Sequence, residues 1–259
     1  MKVLITFALA NEFAPWRKLR SFRSGRLGSA DVHSAEINGA NVCVALTGAG
    51  TRHAREFFRE ILSSCSDSFG LCVSSGLAGA LKPEYQVGQV LAARSVASER
   101  PDPATGDSEI SCSEPLVSLA AEYGAKTVDR FFTSERVIAR AEEKQYLGRK
   151  ADAVEMESCE ILREARAFGI PAVSIRAISD TSYEHLPLDM PRIFSDEGQV
   201  SLTGVVAEIA RHPRSLPDLL RLGQQSKFAA ESLAKFLDRY VAGVVERSRD
   251  IQTVAAVAS

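Results

Sequence analysis

The 259-residue chain has no paired cysteines: Cys43, Cys65, Cys72, Cys112 and Cys159 are odd in number and form no C-x-x-C. Such a set argues against a disulfide framework or a thiolate zinc site and reads as the reduced thiols of a cytosolic protein. Histidine is scarce too. His33, His53, His185 and His212 are dispersed, so no Cys/His metal site is expected. Neither sign of charge dominates: 31 Lys and Arg against 33 Asp and Glu leave a net charge of −2. That lacks the basic excess with which a dedicated nucleic-acid binder displaces counterions. No apolar run approaches the ~20 residues that span a bilayer. Glycine (17) and proline (10) are too few for a collagen-like or low-complexity chain. No G-x-S-x-G occurs, and His185 has no triad pattern around it, so a serine nucleophile is not expected.

What is present is alternation. Val3–Leu9 is a continuous apolar run, as in a strand buried on both faces. With Met1, Lys2 and Ala10 it imitates a signal peptide, but a buried first strand explains the same letters. Phe13–Leu19 suits a short helix with Pro15 in its first turn. Asn38-Gly39 between Val32–Ile37 and Val42–Leu46 is a strong hairpin signal. Ala54, Phe57, Phe58, Ile61 and Leu62 make one helical face. Strands are expected at Phe69–Ser75, Gly88–Val96, Thr127–Phe132, Ala151–Met156 and Ala172–Ser179. Helices are expected at Pro115–Tyr123, Ala139–Leu147 and Ser158–Phe168, the last broken by Pro171. Gly76-Leu-Ala-Gly79 reads as a small-residue loop.

This order predicts an α/β protein: a three-layer α-β-α sandwich around a mixed, mostly parallel central sheet. One domain is expected over 1–249, with a core over 1–185 and a helical extension over 186–249. Pro187, Pro191, Pro213 and Pro217 punctuate that extension, and a long helix over about 224–247 carries the stripe Phe228, Leu233, Phe236, Leu237, Tyr240, Val241 and Val244. Residues 250–259 are expected to fray.

Ligands of open α/β sheets bind beyond the carboxyl ends of the strands. Three carboxylates fall there: Glu12, Glu157 and Asp180. Two glycine-bearing stretches, Gly48-Ala-Gly50 and Gly76-Leu-Ala-Gly79, share that edge and let a ligand approach the backbone. Each carboxylate also has a plain reading as a helix cap or first-turn charge. Glu155 and Glu157 alternate about Met156. At strand spacing they share a face, one buried and one at the rim.

The strings Ala153-Val-Glu-Met-Glu-Ser158 and Val173-Ser-Ile-Arg-Ala-Ile-Ser-Asp180, in that order, resemble the nucleoside phosphorylase/nucleosidase superfamily. Within it the chain looks most like the methylthioadenosine/S-adenosylhomocysteine nucleosidases. Ser75-Gly-Leu-Ala-Gly79 is similar to that family's glycine loop, and Phe7-Ala-Leu-Ala-Asn-Glu12 to its first strand. The resemblance implies that Glu12 activates a water and that Asp180 protonates or hydrogen-bonds adenine N7. It implies that Glu157 holds the ribose hydroxyls with Met156 against the sugar. It places Val137 and Ile138 on the purine, with Ala78, Gly79 and Ser179 lining the site. It implies no metal or organic cofactor, a small adenine nucleoside as partner, and a cytoplasmic homodimer. The chemistry is coherent: an acid at the base eases its departure, and carboxylates beneath the sugar stabilise an oxocarbenium-like state. Burial at a strand end is one way to keep Asp180 protonated.

Leu77 stands where the family has a hydroxyl residue, and Ala10-Asn11 replaces an acidic run. The long tail resembles the hopanoid-associated relatives, which act on adenosylhopane. Two rival readings remain: a phosphorylase and a non-catalytic nucleoside-binding module. A phosphorylase needs cations for phosphate. The stretch Arg17, Lys18, Arg20, Arg23 and Arg26 could supply one, or form a solvated basic face. The tail's stripe is expected either to cover the 5′ end of the site, favouring a bulky apolar 5′ group, or to pack on the core.

Overall fold

The computed structural model describes residues 1–28, 30–65, 69–103, 105–186 and 216–257. Among these residues ten strands form one mixed sheet with helices packed on it. The apolar run at the start forms β1, Lys2–Phe7, which lies between two parallel neighbours. These are β4 (Ala40–Leu46) and β5 (Leu71–Ala80). Burial on both faces explains the unbroken hydrophobicity of β1. The hairpin forms as expected: β3 (Ala30–Ile37) runs antiparallel to β4. Asn38 and Gly39 turn between them with φ of 51° and 89°, the double positive φ that suits the strands' twist.

Strand β5 is the hub. It runs parallel to β1 and to β10 (Ala172–Asp180), and its last residues pair antiparallel with β9 (Ala153–Glu155). β10 also pairs with β6 (Val90–Ser98), β6 with β8 (Lys126–Thr133), and β8 with β9. The path β10–β6–β8–β9–β5 therefore closes on itself, and β1, β4, β3 and the edge strand β2 (Arg23–Leu27) continue outward. Short β7, Glu109–Ser111, pairs with β6.

Helix α1 spans Ala10–Leu19, α2 Thr51–Cys65, α3 Glu114–Glu122, α4 Ala141–Leu147, α5 Ser158–Ala167 and α6 Leu216–Val257. α2 packs on α5, where Arg59 donates to buried Glu164 at 2.6 Å and 3.0 Å. α1 packs on α6, where Arg20 donates to Asp238 at 2.7 Å and 2.8 Å. The main hydrophobic core joins sheet and helices, with Trp16, Phe13 and Phe7 buried in it, and Leu81, Ile138, Ala151 and Val154 form a smaller cluster.

Two expectations change, and one of the two alternatives for the tail is favoured. Gly76–Gly79 is not a loop but part of β5, because β10 keeps pairing alongside it as far as Asp180. α1 starts earlier than expected, leaving Pro15 inside the helix rather than in its first turn and Glu12 near the helix start. Most of the tail's stripe serves the core: Leu233, Phe236, Leu237, Tyr240, Val241 and Val244 are buried, while Phe228 is 56% exposed. Residues 187–215, with Pro187, Pro191 and Pro213, lie outside the described residues.

Candidate active site

The carboxyl ends of β1, β5, β9 and β10 open into a cleft of about 210 Å³. The sequence-derived residues Glu12, Glu157, Asp180, Met156, Val137, Ile138, Ala78, Gly79 and Ser179 all line it. They come together because the strands that precede them are neighbours in one sheet.

Glu12 is buried in the first turn of α1. One carboxylate oxygen accepts the backbone N–H of Ala8 and of Leu9, each at 3.1 Å. The other accepts the N–H of Leu77 at 3.2 Å. It therefore caps its helix as well as facing the cleft. Burial raises its pKa, against the opposing pull of the Arg176 guanidinium and the three N–H donors. The N–H of residue 77 is thus engaged even though Leu77 brings no hydroxyl.

Glu157 stands at the N-cap of α5 and accepts the N–H of Gly50 at 3.0 Å. Burial pushes its carboxyl up to about 7; Arg176 opposes the shift and neighbouring Glu155 adds to it. Glu155 and Glu157 are both buried, at 4% and 6% exposure, so neither is a rim residue. The alternation argument fails because β9 ends at Glu155. Glu155 turns inward instead. It accepts the N–H of Glu157 at 3.0 Å and of Ser158 at 2.8 Å, and the Arg176 Nη2 at 2.6 Å.

Arg176 is the first residue the sequence reading did not place. Its guanidinium is 1% exposed and donates to Glu155, to the Ser158 hydroxyl at 2.8 Å, to the Ser74 hydroxyl at 3.2 Å and to the Ser75 carbonyl. Its Nη2 also lies 3.6 Å from Glu157. Gly76 makes room for it: a Cβ there would sit 2.4 Å from Nη1, on a backbone with φ of +144°. Gly79 does the same for Asp180, whose Oδ2 would lie 2.9 Å from an added Cβ. These glycines admit buried side chains as well as backing the cleft.

Asp180, the last residue of β10, accepts the Ser179 hydroxyl at 2.7 Å and the ammonium of Lys144. Lys144 is the second residue the sequence reading missed. It lies on the inner face of α4 with no solvent exposure.

The walls are apolar. Leu9, Leu77, Leu186 and Leu222 line the cleft with Met156, Val137 and Ile138. Arg136 also lines it and pairs with Glu143. Arg17, Lys18, Arg20, Arg23 and Arg26 are exposed and line no part of it. His185 accepts the N–H of Ala141 at 3.4 Å and belongs to no nucleophile arrangement among the described residues.

Sheet topology, glycine-backed cleft and clustered carboxylates define the class: the chain belongs to the phosphorylase superfamily, whose family model matches residues 2–211. A curated relative, the 5′-methylthioadenosine/S-adenosylhomocysteine nucleosidase of Actinobacillus succinogenes, is 27% identical over 201 residues, covering 70% of this chain and 86% of its own. The fold is shared with the Helicobacter pylori 5′-methylthioadenosine/S-adenosylhomocysteine nucleosidase bound to butyl-thio-DADMe-Immucillin-A: TM-score 0.71, 21% identity, 93% of this chain and 97% of that one. It is shared equally with the futalosine hydrolase of Helicobacter pylori strain 26695: TM-score 0.70, 21% identity, 93% and 97%. At those identities the two structures speak for the fold alone.

Proposed function

We propose that this protein is an N-glycosyl hydrolase that releases adenine from a nucleoside with a modified 5′ group. The observation that carries the reading is the convergence of Glu12, Glu157 and Asp180 on one cleft at the strand ends. In this reading Glu12 takes a proton from the attacking water, and burial, by raising its pKa, makes it the stronger base. Glu157 accepts hydrogen bonds from the ribose hydroxyls, with Met156 against the sugar. Asp180 serves adenine N7, while Val137 and Ile138 hold the purine ring and Ala78, Gly79 and Ser179 complete the wall. As the C1′–N9 bond breaks, its electron pair goes to the base, N7 takes the proton carried by Asp180, and the water, giving its own proton to Glu12, adds to C1′.

Water is favoured over phosphate because Arg136, the arginine among the described cleft residues, is held by Glu143, and a phosphate dianion would meet the acidic groups of Glu12, Glu155, Glu157 and Asp180. The leucines at positions 9, 186 and 222 support an apolar 5′ substituent. Exposed Leu216, Leu220 and Phe228 on α6 support a homodimer, and four buried free thiols support a reducing, cytoplasmic setting.

The test is adenine release from methylthioadenosine, S-adenosylhomocysteine, adenosine and a long-chain 5′-alkyl adenosine, each with and without phosphate. Phosphate-independent release that rises with apolar 5′ length is expected. Absolute dependence on phosphate would turn the assignment to a phosphorylase, and no release from any of the four would overturn it.

A further inference from the structure

We propose that Lys144 is a positioning residue for Asp180, so that the base-side acid works as a lysine–aspartate unit; this deepens the hydrolase reading and rests on it. α4 is short; its other charges are exposed Glu142 and half-buried Glu143, which pairs with Arg136. Ala141, Lys144 and Leu147 share its inner face at three-residue spacing, and Lys144 alone of these is ionic. A lysine with no solvent exposure is retained only where its ammonium is matched. Here all three N–H donors are used. They go to Asp180 Oδ2, to the Thr181 carbonyl at 3.1 Å and to the Glu184 carbonyl at 3.0 Å.

The geometry has two consequences. First, one Asp180 carboxyl oxygen and two carbonyl oxygens converge on one point. Without the ammonium they would repel, and Asp180 would turn from its present rotamer, in which the other oxygen takes the Ser179 hydroxyl at 2.7 Å. Lys144 thus fixes which edge of Asp180 faces the cleft. Second, Lys144 ties the acid to the rim. Glu184 accepts the Thr181 N–H at 2.8 Å and the Gln225 amide of α6 at 2.8 Å, and Leu186 donates its N–H to the Ala139 carbonyl at 2.9 Å. The segment from Thr181 to Leu186 is therefore held between α4 and α6, with Leu186 in the cleft wall.

The experiment is a double-mutant cycle on the full chain. kcat and KM for adenine release, and free-adenine affinity by calorimetry, are measured for the unmodified protein, Lys144→Met, Asp180→Asn and the double variant. A group that acts by aiming another affects the transition state only through it. Lys144→Met is expected to lower kcat about 100-fold with KM changed by less than about threefold, since small misplacements cost that much. In the Asp180→Asn background the same substitution is expected to cost nothing further. Equal losses in both backgrounds would overturn the proposal and leave Lys144 a packing residue. So would a Lys144→Met variant with unaltered kcat. Should Lys144→Met fail to fold, Lys144→Gln keeps a donor without the charge and meets the same criteria. If the unmodified protein releases no adenine, the hydrolase reading fails by itself. The adenine affinities then decide: a loss of about tenfold in Lys144→Met and none further in the double variant supports the positioning role, and unchanged affinity overturns it.

Discussion

Glu157→Gln should stabilise the fold at alkaline pH while harming the site. Glu157 is buried, and its carboxyl is raised from 4.5 to about 7. A folded-state pKa above the unfolded one means that the native state binds more protons, so stability falls as pH rises from the unfolded value through the folded one. At pH 8 the carboxylate is ionised in both states. A rise from 4.5 to about 7 then corresponds to about 3 kcal/mol of lost stability, an upper figure because Glu155 and Arg176 share the same charge balance. At pH 5 the same group costs under about 1 kcal/mol. Glutamine keeps an oxygen for the Gly50 N–H, bonded at 3.0 Å, and removes the buried charge. The variant should therefore match the unmodified protein near pH 5 and exceed it near pH 8, with ribose binding lost. Urea unfolding at the two pH values measures this directly. A variant less stable at pH 8, or one whose advantage is the same at both pH values, would refute the electrostatic reasoning.

Asp180→Asn should cut adenine release by about 10³-fold, within the range for a general acid, as measured by initial rates on methylthioadenosine; near-normal release would remove Asp180 from the chemistry. Glu12→Gln should stop hydrolysis and spare nucleoside binding. It should also cost about 1–2 kcal/mol in stability, because an amide cannot accept all three N–H groups that Glu12 now takes. Binding and turnover falling together would make Glu12 a helix cap alone. Gly76→Ala should destabilise by more than about 2 kcal/mol in thermal unfolding, since its Cβ would meet Arg176 at 2.4 Å on a positive-φ backbone. A neutral effect would show that the guanidinium can move.

Much of the sheet and of the cleft was legible because apolar runs and the residues that follow them are local signals. What escaped the sequence reading depends on neighbours. Arg23–Leu27 forms a strand with no apolar alternation, since it needs only the edge of β3 to pair with. Gly76–Gly79 has the composition of a loop, and only its partner β10 makes it strand. Arg176 did leave a signal: a single charge inside Val173-Ser-Ile-Arg-Ala-Ile178 must be paired if that strand is buried on both faces, and all nine residues of β10 are buried. Lys144 left a weaker one, a charge at the inner spacing of a short helix. The partners of both come from distant parts of the chain, so local periodicity could not name them.

Two buried cations beside the cleft, Arg176 and Lys144, serve different carboxyl groups. Arg176 is bound to Glu155 and lies farther from Glu157, at 3.6 Å; Lys144 is bound to Asp180. Glu12 and Glu157 are held mainly by backbone N–H groups, and burial raises both. Breaking an N-glycosidic bond makes the sugar positive and the base negative. On the proposed reading the developing cation meets Glu12 and Glu157, and the departing base meets the acid that Lys144 positions. The groups that serve each side of the bond are thus in place before the reaction begins, on strand ends and short helices rather than in solvent. Such pre-arrangement lowers the barrier because little reorganisation is left to the moment of bond cleavage. It also explains why the fold keeps charged side chains in so apolar a setting, where a hydrophobic replacement would serve stability better.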